Sequence, residues 1–165
     1  MSIRTIARLA VFCFSTWLAA NAQAGKESNM KPTGSRARAT AKITVQHSEA
    51  KTYDQTVSPA LVEIRLSERF TGDIDGEATV RALQVLGKKR SASLVSLQRF
   101  VGRLAGRQGT FVLQGSEKVE NGRIKATWFV VPGSGTGDLS GLRGEGGFEG
   151  EFGKGSNSTL DYWFE

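Results

Sequence analysis

Cysteine is nearly missing from this chain: it occurs once in 165 residues, at Cys13. Cys13 lies in a leading segment that reads as removable, so the mature chain is expected to hold no disulfide, no zinc-thiolate site and no cysteine nucleophile. Histidine also occurs once, at His47. A triad built on it would need a placed Ser and Asp that no motif supplies, and a surface histidine is the simpler reading. Long apolar runs are absent beyond Leu9 to Ala20, LAVFCFSTWLAA. That run is too short to span a bilayer as a stable helix. No long amphipathic helical pattern follows it.

The apolar run has the marks of an export signal. Arg4 and Arg8 precede it, and Ala22-Gln23-Ala24 places small residues where a signal peptidase reads, with Gly25 next. A short buried helix is the competing reading. It fits poorly with the polar stretch GKESNMKPTGSRARAT that follows, because a core helix should lead into more fold. A lipid anchor needs cysteine at the cleavage point, and Cys13 sits inside the run instead. Residues 1–24 are therefore read as a removed signal peptide. The mature protein is expected in the periplasm or the medium, with no membrane anchor after processing. Residues 25–40, poor in large apolar side chains, read as a flexible tether, and 41–165 as one domain. The mature chain, at about 140 residues, is long enough to hold itself with core alone.

Charge is modest. Removing Arg4 and Arg8 from the formal net charge of +6 leaves +4, and part of that excess sits in the polar stretch. No basic stripe is interleaved with exposed aromatics, so a nucleic-acid partner is not expected. The remaining sequence is written in strands. Val62, Ile64, Leu66 and Phe70 share one face against Glu63, Arg65, Ser67 and Arg69, an alternation of period two. Ala41–Gln46, Ile74–Leu86, Ser91–Arg103, Thr110–Ser116, Arg123–Val131, Arg143–Phe148 and Thr159–Glu165 continue the pattern. Turn signals separate them, of which Asn121-Gly122 is the strongest hairpin signal. About eight strands with short turns indicate an antiparallel sandwich or a closed barrel, and closure removes exposed edges.

Several motifs fail. Phe148 stands where a phosphate-binding loop ending at Gly153-Lys154 needs glycine, and Gly133-Ser134-Gly135-Thr136-Gly137 lacks the dinucleotide spacing. No cofactor is expected, and Gly133, Gly135 and Gly137 read as structural, allowing a tight chain turn. Asp73, Asp75 and Glu77 share a strand face, but Gly76 falls too early for a calcium loop. No metal site is expected.

Three segments carry a resemblance: SLVSLQRFVGRLAGRQGTFVLQGS, ATWFVVPGSGTGDLSGLRGEGGF and the ending STLDYWFE, with FTGDIDGEATV in the same order. Together they resemble a bacterial domain-of-unknown-function family, number 3224, over roughly Ala39 to Glu165. The resemblance implies an all-β fold, a closed eight-stranded antiparallel β-barrel like that of allene oxide cyclase. VVPGSGTGDLSGLRGEG is more distantly similar to a stretch of plant dirigent proteins, though Asp138-Leu139 follows Gly137 where that stretch differs. The family supplies no chemistry.

Alternation nominates an interior. Glu68 interrupts the apolar row of Val62 to Phe70, and a carboxylate there needs a partner, a proton or water. Trp128 and Tyr162 each bring apolar bulk with one polar group, suited to a ligand or to a core. Glu68, Trp128 and Tyr162 are the candidate ligand-binding residues, for a small, mostly apolar ligand. No catalytic constellation is recognisable. Two rival readings are an isomerase or cyclase using Glu68 or Tyr162 for proton transfer, and a ligand-free structural or stress-related oligomer. Large apolar residues on both faces of Arg123–Val131 put Phe129 and Val131 outside, with Trp163 outward nearby. A homo-oligomer covering them is expected.

Overall fold

The computed structural model describes residues 34–56 and 58–165. The export signal and most of the tether lie outside the described residues. The chain forms eight antiparallel strands: β1 Ala37–Asp54, β2 Leu61–Gly72, β3 Ile74–Leu86, β4 Ala92–Leu104, β5 Arg107–Glu120, β6 Arg123–Val130, β7 Leu142–Glu151 and β8 Gly155–Phe164. Each pairs with its sequence neighbours, and β1 pairs with β8 to close the barrel. The closing seam runs from Ala37 opposite Tyr162 to Thr44 opposite Gly155.

β1 begins at Ala37, inside the segment expected to be tether. Ala39 is fully buried, and Arg38 grips both carboxylate oxygens of Asp161, its partner across the seam, at 2.6 and 2.7 Å. Two small alanines, Ala37 and Ala39, set among Arg36, Arg38 and Thr40 carry too little hydrophobic signal to reveal a strand. Asn121-Gly122 forms the expected two-residue turn, with φ of 52° and 80°. Such turns match the right-handed twist of the strands they join. Two of the three acids in the row, Asp73 and Asp75, are taken by protein partners. Asp73 accepts from the Thr40 amide at 2.9 Å and its hydroxyl at 3.0 Å, and Asp75 accepts from Arg69.

The glycine loop has a structural task. β5 outruns β6, whose pairing with it begins at Leu113 opposite Val130. The exposed edge of β5 below that point needs partners for its amides. Ser134 Oγ accepts from the Val112 amide at 3.0 Å, Thr136 Oγ1 from Thr110 at 3.1 Å, and Asp138 Oδ2 from Gln108 at 3.2 Å. Every second loop residue thus replaces a missing strand bond, and the intervening glycines let the chains approach. A Cβ at Gly135 would sit 1.9 Å from the Leu139 carbonyl oxygen. Gly137 has φ of +62° with the Gln108 carbonyl 2.8 Å from its would-be Cβ, whereas Gly133, φ +72°, faces open space. Gly135→Val and Gly137→Val should each lower stability by about 1–3 kcal/mol, read as a fall in the urea midpoint. Unchanged midpoints for both would show the loop to be ordinary.

The interior divides in two. At one end Phe70, Phe100, Phe111 and Trp128 fill the barrel, capped by Leu139 and Leu142, all buried. Toward the other end the inward positions are smaller: Val62, Ile64, Ala82, Ala92 and Leu94. Side chains that fill one end of an eight-stranded barrel leave space at the other when they shrink.

Candidate functional site

A cavity of about 330 Å³ occupies the less filled half. Its walls are apolar, with Ile64, Leu66, Val80, Ala82, Leu94 and Ile124 among them, and the β7–β8 turn at Phe152 to Lys154 lies at its mouth. A small polar group lies where the cavity meets the aromatic plug. Gln98 donates its amide N–H to Glu68, and Ser96 donates its hydroxyl to Glu117. Ser96 and Gln98 are successive inward positions on β4, roughly 7 Å apart along the strand. The two carboxyls they hold are therefore neighbours. Gln84 lines the same space.

Gly115 makes the arrangement possible. It stands opposite Ser96 in the β4–β5 register. A Cβ there would meet Glu117 Oε1 and Ser96 Oγ at 2.3 and 2.7 Å, so the missing side chain is the room the Glu117 carboxyl occupies. Glu117 is 6% exposed. Its Oε2 is the one buried side-chain polar atom without a hydrogen-bond partner among the described residues. An unmet buried acceptor costs more than a typical hydrogen bond gives back.

Burial dominates the electrostatics. It pushes the Glu68 carboxyl up to about 7, opposed by the Gln98 hydrogen bond and assisted by the nearby Glu117 charge. Burial also raises Glu117, with Ser96 opposing. Near neutral pH, Glu68 exists as both acid and base.

Of the three residues nominated by alternation, the structure brings Glu68 into the cavity. Trp128 lies in the packed half, 6.4 Å from Phe70 and 5.2 Å from Phe148 between ring centres. Its indole N–H already donates to the Thr159 carbonyl at 3.2 Å. Tyr162 packs edge-on against Phe164 at 6.1 Å, on the core cluster of that half. Sequence reasoning missed Glu117, Ser96, Gln98 and Gln84. The signal was available for Glu117: it continues the row Phe111, Leu113, Gly115 and is followed by Val119. Reading that strand as ending at Ser116 cut the row one residue short.

The fold and site define a closed antiparallel β-barrel with one end packed and the other open over a buried pair of carboxyls. The family model for a protein of unknown function, DUF3224, matches residues 39–165. The chain belongs to that family. A crystal structure of a DUF3224 protein of unknown function from Shewanella oneidensis MR-1 is similar, with a TM-score of 0.63 and 26% identity, covering 79% of this chain and 99% of that one. Among curated proteins none matches.

Proposed function

We propose that this protein is an exported, noncatalytic barrel that holds a small, mostly apolar ligand in the open half of its interior. The observation that supports it is the apolar cavity of about 330 Å³, a size within the usual range of small-molecule sites. Native mass spectrometry of protein purified from the periplasm tests it. A small molecule should be retained by the parent and lost in Ala82→Phe, whose ring would fill part of the cavity. A parent that is empty and takes up no apolar compound would overturn the reading. N-terminal sequencing of the same fraction should start at or near Gly25, and an intact Met1 would overturn export.

One observation favours a second reading. Glu68 faces the cavity with its carboxyl near 7, the condition for a group that both gives and takes a proton at neutral pH. An isomerase-type reaction on a bound ligand would use it. Conversion of the retained molecule by the parent and not by Glu68→Gln would distinguish that case.

We also propose a homo-oligomer. Trp163 is half-buried under the Arg36 guanidinium, 4.3 Å from its ring centre, and Val131 is half-buried. Phe129, 43% exposed, instead shares the outer wall with Leu83, Val95 and Leu97, each about half exposed. Leu83 is opposite Val95, Leu97 opposite Gln114, and Gln114 opposite Phe129, so the four lie across adjacent strands. Arg81 and Glu145 flank this patch. A two-fold contact would set each against the other in the partner copy, as a self-complementary surface requires. Light scattering should show a dimer or larger, and Leu97→Glu should dissociate it. A parent monomer of about 15 kDa, the mass of a domain this size, would refute it.

A further inference from the structure

The binding reading leaves open which end of the ligand enters first and what it carries. The cavity answers by its polarity. Its inner end holds two carboxyls, Glu68 and Glu117, and an amide and a hydroxyl whose donors already point at those carboxyls. Among the described lining residues the one cation is Lys154. It lies at the mouth, is largely exposed and is paired with Glu151 at 2.8 Å. The inner end therefore holds two carboxyls, with Gln84 beside them, and no cationic partner for either. Glu117 Oε2, buried and unmatched, is the sharpest sign: a native fold rarely leaves such an atom without a partner.

We infer that the ligand carries a protonated amine at its buried end, seated against the Glu68 carboxyl and beside Glu117, with its apolar body along the wall toward the mouth. This inference rests on the binding reading. An ammonium has three donors and no acceptor, which suits a pair of carboxyls with no cation beside them. A ligand carboxylate in the same place would meet two like charges or force both glutamates to stay protonated. An alcohol would satisfy Glu117 with one donor but would leave the charge of an ionised carboxylate uncompensated. Charge-assisted hydrogen bonds in a site shielded from water are the stronger kind.

The titratable groups facing the bound head are Glu68 and Glu117, with Glu151 and Lys154 neutralising each other at the mouth. Binding of an amine should hold Glu68 ionised and displace its proton. Its affinity should therefore rise with pH through about 7, where the free protein's Glu68 gives up that proton.

Calorimetric titration of the full-length mature protein with octylamine, octanol and octanoate tests this. Octylamine should bind at least about tenfold more tightly than octanol, a preference of about 1.4 kcal/mol, and octanoate weakest. The amine's affinity should climb across neutral pH while the alcohol's stays flat. Glu117→Gln should erase most of the preference. Equal binding of amine and alcohol, or tightest binding of octanoate, would overturn the amine inference and leave the apolar pocket standing. Binding of none of the three would overturn both. The comparison is made on the parent protein, so it does not depend on the variant folding.

Discussion

At about pH 8, Glu68→Gln should be more stable than the parent by about 3 kcal/mol, and at about pH 4 the two should unfold together. The sign follows from where the proton is held. Unfolded, Glu68 titrates near its ordinary value of 4.5; folded, burial raises it to about 7. Below 4.5 both states carry the proton and the site costs nothing extra. Between 4.5 and about 7 the folded chain keeps a proton that the unfolded chain has released, so parent stability falls as pH rises. Above that window the loss is complete, at about 1.4 kcal/mol for each tenfold change in proton affinity. Glutamine has no proton to lose, is nearly the same shape, and can still accept from Gln98. Glu117, also raised by burial, loses stability in the same direction and remains in the variant, though without the repulsion from its neighbour. Thermal melts across the pH range would show the difference as a gap opening from zero to roughly 10 °C for a domain of this size. Two curves that stay parallel from acid to alkaline pH would mean that Glu68 is solvated in the folded protein.

The same two carboxyls show what was legible in the sequence. Glu68 could be placed inside because four neighbours on its face, Val62, Ile64, Leu66 and Phe70, are apolar. Period-two alternation is a direct readout of which side of a sheet a residue faces. Glu117 obeys the same rule, but its row passes through Gly115, which has no side chain to score. Strand boundaries are also the least certain part of such a reading. Barrel closure was legible from the spacing of strands and turns together with the family resemblance. The division of the interior into a packed and an open half was not. It depends on which inward residues from different strands fall at the same height, and that is set by register and stagger. Trp128 and Tyr162 illustrate the point: both face inward or pack on the core, yet at heights where the barrel is already full. The partner strand bonds made by Ser134, Thr136 and Asp138 were invisible for a related reason. The loop's composition announced a turn, while its task of covering the edge of β5 follows from β5 being longer than β6.

Phe100→Ala should cost about 3–5 kcal/mol, the largest loss expected from any single substitution considered in the barrel. Phe100 is fully buried. Its ring lies edge-on to Phe70 at 5.6 Å and against Phe111 at 4.8 Å between centres. The tip of the ring reaches over Gly76 and Gly102, which face each other across β3 and β4. A Cβ on either glycine would come within 2.8 and 2.9 Å of the Phe100 Cζ. The seat is therefore built from missing side chains, and no neighbour can swing in to refill it when the ring is removed. Loss of transfer free energy then adds to the energy of an unfilled void, and the surrounding strands, hydrogen-bonded on both sides, relax little. Phe70 and Phe100 are also the next inward positions beyond Glu68 and Gln98, so the void would open beneath the polar end of the cavity. Water admitted there would solvate Glu68 and draw its carboxyl back toward 4.5. Two measurements follow from one variant: a urea midpoint lowered at constant slope, and a pH dependence of stability flatter than the parent's. Phe100→Leu, which keeps most of the volume, should lose roughly 1–2 kcal/mol and retain the parent's pH dependence. A loss below about 1 kcal/mol for Phe100→Ala would mean that the aromatic half collapses around the gap, and that the packed end of the barrel is less rigid than its geometry implies.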